Sequence, residues 1–190
     1  MNKIIIVALL FIIGGCSPEI RVYSDHDPDY DLKKYTTFNW VKKENIELGN
    51  NPLYYNELND KRIKSAVQEQ LTSRGYSLSE NKPDMVVHYH IIVDDQSIVT
   101  TDPHGYFYSP YWMRLRTNVY QYREGTLIID LMDSKSNNLI WRGWASSAIE
   151  GVYTPDQIDG LIKTAVAKIF RKFPKKDKES LQHAKNVVLN

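Results

Sequence analysis

The sequence predicts an α+β fold, a two-layer sandwich in which a mixed, mainly antiparallel sheet carries two helices packed on one face. Three observations predict it. Apolar residues alternate with period two along several short segments. They recur with helical spacing along two longer segments, and the order of all these is strand, strand, helix, strand, strand, strand, helix. A helix between the second and third strands calls for a parallel crossover, and the closely spaced strands that follow call for an antiparallel meander.

Each element has its own signal. Ile20 to Ser24 and Lys34 to Val41 read as strands, the second setting Thr36, Phe38 and Trp40 on one side. Between them, Asp25-His26-Asp27-Pro28-Asp29-Tyr30-Asp31 is a loop by its turn residues. Ile63, Ala66, Val67 and Leu71 mark a helix from Leu58 to Arg74, with Asn56 or Asn59 to cap its start and Gly75 after its end. From Asp84 to Asp94, Met85, Val87, Tyr89, Ile91 and Val93 face the core, while Asp84, His88, His90 and Asp94 take the other side. Thr126 to Asp133 and Leu139 to Ile149 flank the turn Ser134-Lys135-Ser136-Asn137-Asn138 and read as a hairpin. Thr154-Pro155-Asp156-Gln157 combines an N-cap, a proline at the first helical position and a capping-box glutamine. The helix it starts keeps an apolar rhythm from Ile158 to Phe173, and Pro174 stops it.

Composition narrows the function. The whole chain is 42% hydrophobic and 25% charged, and a mature region of about 175 residues can bury one sizeable core. Lys and Arg total 24 against 23 for Asp and Glu, which gives no field to recruit nucleic acid. Cys16 is the sole cysteine, so the fold has no disulfide, thiolate nucleophile or sulfur-ligated metal.

The N-terminus places that cysteine. Lys3, the apolar run Ile4 to Ile13 and Gly14-Gly15 have the layout of a secretory signal, and the run is too short to span a bilayer. Ile13-Gly14-Gly15-Cys16 resembles the lipobox of bacterial lipoproteins, in which the cysteine sulfur takes a diacylglyceryl group and becomes the mature N-terminus. Residues 1–15 are therefore expected to be a signal peptide, 16–19 a lipidated tether, 20–174 a single domain and 175–190 a polar tail. Ser17, where an aspartate would signal inner-membrane retention, favours the outer membrane.

A further set of motifs runs through the domain: Tyr35-Thr36-Thr37-Phe38-Asn39-Trp40, Arg74-Gly75-Tyr76, Pro83-Asp84-Met85-Val86-Val87, Glu124-Gly125-Thr126-Leu127 with Ile129-Asp130 and Asp133, and Leu139-Ile140-Trp141-Arg142-Gly143. Their order and spacing over about Val22 to Pro174 resemble the bacterial envelope lipoproteins of domain of unknown function 4136. The resemblance implies an exported, membrane-tethered α/β domain with no catalytic residues to carry over.

Among candidates for chemistry, the connection from Asp95 to Arg123 stands out. It gathers Tyr106, Phe107, Tyr108, Tyr111, Trp112, Tyr120 and Tyr122 with Arg114 and Arg116. Such residues suit a protein interface, a glycan or the membrane boundary, and they serve equally to cover a sheet face or to extend a long hairpin. His88 and His90 share one strand face and are weak candidates for a metal, lacking an evident third ligand. Asp25-x-Asp27-x-Asp29 spaces its oxygens like the start of an EF-hand, but Tyr30 stands where glycine is needed and Thr36 where the bidentate glutamate belongs. No nucleophile elbow, zinc-protease motif or phosphate-binding glycine loop occurs. The expectation is a non-catalytic interaction or assembly module without a cofactor. Its partners are the bilayer, through acylated Cys16, and an envelope protein or glycan; a small-ligand or metal-binding protein is the alternative, and a hydrolase ranks below both.

Overall fold

The computed structural model describes residues 19–41, 53–102, 116–149 and 151–176. Its six strands are β1 (Arg21–His26), β2 (Thr37–Trp40), β3 (Ser77–Leu78), β4 (Met85–Asp102), β5 (Arg116–Asp133) and β6 (Leu139–Ile149), and its helices are α1 (Glu57–Thr72) and α2 (Pro155–Ile169). The strands lie in the order β1-β6-β5-β4-β2-β3. β4, β5 and β6 form the antiparallel meander, β1 adds antiparallel to β6, and β2 lies parallel to β4 across the α1 crossover. The mixed α+β sandwich is therefore the fold, with both helices contributing to one core.

The differences from the sequence reading are local. β1 continues through Asp25 and His26, so part of the acidic segment is strand. β2 starts at Thr37, because Leu32–Lys34 form a short 3-10 turn whose start is capped by Asp31 accepting from the Lys33 amide. β3 pairs Ser77 and Leu78 in parallel with Thr37 and Phe38, and two residues are too few to leave a periodic signature. α2 ends at Ile169 and passes into a 3-10 turn over Phe170–Lys172, ahead of Pro174. The largest difference is the hairpin: β4 runs on to Asp102 and β5 begins at Arg116, where the sequence predicts a connection.

Polar contacts pin the crossover at both ends. Asn56 accepts from the Asn59 amide at 2.9 Å to start α1. Gly75, at φ +92°, takes the left-handed conformation that turns the chain out of α1. Tyr76 is then buried with its hydroxyl donating to the Leu32 carbonyl at 3.2 Å. Asp84 accepts from the Thr36 amide and hydroxyl at 2.8 and 2.6 Å and from the Thr37 amide at 2.9 Å, locking the entries of β2 and β4 together. The predicted capping box at Thr154 and Gln157 is formed.

The core is sealed where β6 meets α2. Trp141 packs on Phe170 and Phe173 with ring centroids 5.2 and 5.0 Å apart, and Tyr76 lies 5.4 Å from Phe173. Gly143 makes this possible: a Cβ there would lie 2.4 Å from the Trp141 ring and 2.6 Å from the Ile169 Cγ2. Gly160 is the opposite case, exposed on α2 with nothing within 4 Å of an added Cβ. Gly143→Ala should cost about 1–3 kcal/mol as overpacking. Gly160→Ala should add about 0.5–1 kcal/mol through helix propensity. Urea unfolding of the two variants should therefore shift the midpoint in opposite directions.

Candidate functional site

No described helix covers the second face of the sheet, so its side chains make their own arrangement. Strand pairing sets His88 beside Asp130, Asp130 beside Arg142 and Arg142 beside Asp25; the next row runs His90, Ile128, Trp144 and Tyr23. Arg142 lies over Asp130 and donates to both carboxylate oxygens at 2.7 Å, leaving Asp130 4% exposed among half-buried neighbours. His90 Nε2 is 3.6 Å from the same carboxylate. Around this cluster Tyr23 stacks on Trp144 at 5.6 Å, Arg21 binds Glu124 at 2.6 Å, and the Thr126 and Ser146 hydroxyls are 2.8 Å apart.

The two histidines predicted for one face do meet there, with ring centroids 4.2 Å apart and edges against faces. His88 Nε2 is enclosed with no hydrogen-bond partner among the described residues. Burial holds the His88 imidazole below its ordinary value; the neighbouring His90 acts in the same direction, and Asp130 opposes both. Among the described residues no three His, Cys, Asp or Glu side chains gather as a metal site. Asp130, the nearest third ligand, has both oxygens committed to Arg142. The acidic loop likewise turns inward on its own backbone, with Asp25, Asp27 and Asp31 accepting from the amides of His26, Asp29 and Lys33.

The second feature is the hairpin arm. β6 ends opposite Arg123 at Ile149, and β2 leaves β4 after Val87, but β4 and β5 stay paired from Asp95 and Arg123 out to Asp102 and Arg116. At about 3.3 Å per residue this ribbon reaches roughly 25 Å past the sheet. Tyr120 and Tyr122 fall within it, opposite Ile98 and Gln96, and Arg116 opens β5 opposite Asp102. Tyr106, Phe107, Tyr108, Tyr111, Trp112 and Arg114 lie outside the described residues, as does Cys16, and in sequence they join the arm's two ends. Sequence reasoning missed the Asp130–Arg142 pair. Its signal was present, for both residues have the outward parity of their strands, but parity does not say that two outward residues of neighbouring strands stand in register.

This architecture defines a class of two-layer α+β domains, and the side chains it buries most deeply serve packing. Within that class the chain belongs to the family described as Domain of unknown function (DUF4136), whose model matches residues 22–175. Among solved structures it is similar to a PDZ domain protein from Parabacteroides distasonis, at 14% identity and a TM-score of 0.52, over 93% of this chain and 41% of that one. The chain thus spans about two fifths of that protein, and the likeness is one of fold. It is also similar, at 9% identity and a TM-score of 0.47, to a PelC dodecamer from Paraburkholderia phytofirmans, over 84% of this chain and 100% of that one. No curated protein matches the chain. No described helix is long and apolar enough to cross a membrane.

Two acid transitions should separate. His88 has its folded value below the ordinary 6.5, so the unfolded chain takes the proton first and stability falls as pH drops through that value. Asp84 behaves differently: burial alone would raise it, but the bonds from Thr36 and Thr37 together outweigh burial and hold it below 3.8. Its contribution is present above that value and is lost as pH falls beneath it. Melting temperatures of wild type should decline between pH 7.5 and 5.5 and again below about pH 4. His88→Gln should flatten the first decline and Asp84→Asn should reduce the second, to which Asp133, held low chiefly by the Ser136 amide, also contributes.

Proposed function

We propose that this protein is a lipid-anchored, non-catalytic module of the bacterial cell envelope, held through Cys16 to the outer membrane, that engages an envelope partner with the β4–β5 arm. The observation that carries the reading is the arm itself. A two-stranded ribbon without a core is marginally stable in water, and among the described residues its outer edges pair with no further strand. Chains solve this by capping, charging or pairing such edges, and pairing with an extended segment of another protein is a known mode of recognition. The described side chains Gln96, Ser97, Gln121 and Arg123 at the base of the arm are polar, so main-chain pairing fits this part better than burial of a greasy surface. The tyrosine- and tryptophan-rich residues 106–112 would add large contact area at low entropic cost.

The anchor rests on the lipobox-like Ile13-Gly14-Gly15-Cys16, and two or three acyl chains would make attachment effectively permanent. Absence of catalysis is supported by the lack of the familiar catalytic motifs in the sequence.

Two measurements test the parts separately. Cys16→Ser should abolish labelling by radioactive palmitate and release the protein from the membrane fraction; unchanged labelling would end the lipoprotein reading. For the arm, a photo-crosslinking amino acid at Ser97 or Gln121 should yield adducts in living cells that one at Glu69, exposed on α1, does not. Replacing Tyr108, Tyr111 and Trp112 by serine should lower the adduct yield roughly tenfold, the loss expected when aromatic hot spots are removed. Equal adducts from arm and helix positions would defeat the interaction reading.

A further inference from the structure

The apolar rhythm of α2 is continuous, yet its two halves end differently. Val166 and Ile169 are sealed, whereas Ile158, Leu161 and Ile162 stay half-buried, as do Ile91 and Leu127 on the strands facing them. The space between holds a cavity of about 300 Å³, at the lower end of small-ligand pockets. Polar residues in its lining are already engaged: Asn59 donates to the Tyr54 carbonyl, Thr126 bonds Ser146, and Arg123 binds Asp95. What the cavity offers is mainly hydrocarbon. A peptide or sugar placed there would bury polar groups without partners, but an alkyl chain would bury none.

Two observations select the source of that chain. Val152 and Leu53 line the cavity yet are 99% and 70% exposed, so it has an apolar lip open to solvent. Ile20 also lines it, and Cys16 lies four residues earlier, within at most about 14 Å of extended chain. Resting on the lipoprotein reading above, we propose that one acyl chain of the lipid on Cys16 occupies this cavity, while the remaining chain or chains stay in the bilayer. The anchor then forms part of the domain's core, and the domain is held against the membrane in a fixed attitude.

The test uses the full-length lipoprotein from cells fed a diazirine-bearing fatty acid, irradiated, then purified and digested. The proposal expects a cross-link joining the acylated peptide that begins at Cys16 to cavity peptides containing Leu127 or Leu161. Ala165→Trp, which fills the cavity, should cut that cross-link at least fivefold while leaving Cys16 acylated. A Cys16 without lipid would overturn the lipoprotein reading and this inference together. An acylated Cys16 whose chains cross-link to phospholipid alone would overturn the inference and leave the anchor standing. Free lipid attached to the cavity peptides, with no link to Cys16, would also overturn it and identify a bilayer lipid as the occupant. Should Ala165→Trp fail to fold, the wild-type pattern decides among these outcomes.

Discussion

The close approach of α2 to the sheet at Gly143 governs how this molecule is built. With no side chain at that position, the Trp141 ring lies across the sheet and Ile169 settles onto it. Phe170 and Phe173 then close around the indole. The end of α1 joins the same cluster. Arg74 donates to the Phe170 carbonyl at 2.9 Å with its guanidinium over the Phe170 ring, and the Lys176 amide donates to the Arg74 carbonyl at 3.0 Å while its ammonium lies over Tyr76. One contact point thus ties β6, the ends of both helices and the closing segment of the domain. Buried aromatic rings dominate this end, and interiors so packed yield little to change.

The opposite end has the complementary character. There the residues between the layers are smaller or only half-buried, with Gly125, Ala145 and Ala165 beside Ile91 and Leu127. Val93, Arg123 and Gly125 line the cavity and also stand at the root of the arm, where β4 and β5 leave the sheet. Ile20, where the chain enters the fold, lines it too. The entry of the chain, the unfilled space and the projecting ribbon therefore share one end of the domain. On the proposed anchor, that end is the one nearest the bilayer, and the arm starts from it.

Much of the architecture was legible because it rests on local rules. The Ile158 to Phe173 rhythm and Thr154-Pro155-Asp156-Gln157 give a helix from propensity and capping alone, and the alternation from Met85 to Val93 gives a strand with one dry side. The arm was harder to read. Asp94, Asp95, Gln96 and Ser97 break the alternation of apolar residues, and a ribbon that no described element covers needs no alternation. The cavity was illegible for the opposite reason. Ile158, Leu161 and Ile162 keep the same spacing as Val166 and Ile169, and spacing states which way a side chain faces without stating whether anything fills the space before it. The Asp130–Arg142 pair required register, which a single strand's pattern does not contain.

The residues that carry the family resemblance hold the scaffold of this chain together. Tyr35 donates to Asp133 at 2.9 Å, Asp84 gathers Thr36 and Thr37, Arg74 and Tyr76 close the end of α1, Asp130 holds Arg142, and Gly143 admits Ile169. Each satisfies a buried polar group or permits a close contact, and each could do so beneath any surface. A signature made of such residues specifies a scaffold. What distinguishes one scaffold from another in use must then lie where the signature is silent: in the arm beyond Asp95 and Arg123, and in the segment that leads into Ile20. The described base of the arm is not held by the Gly143 contact, so a substitution at Gln96, Ser97 or Gln121 should cost the core little.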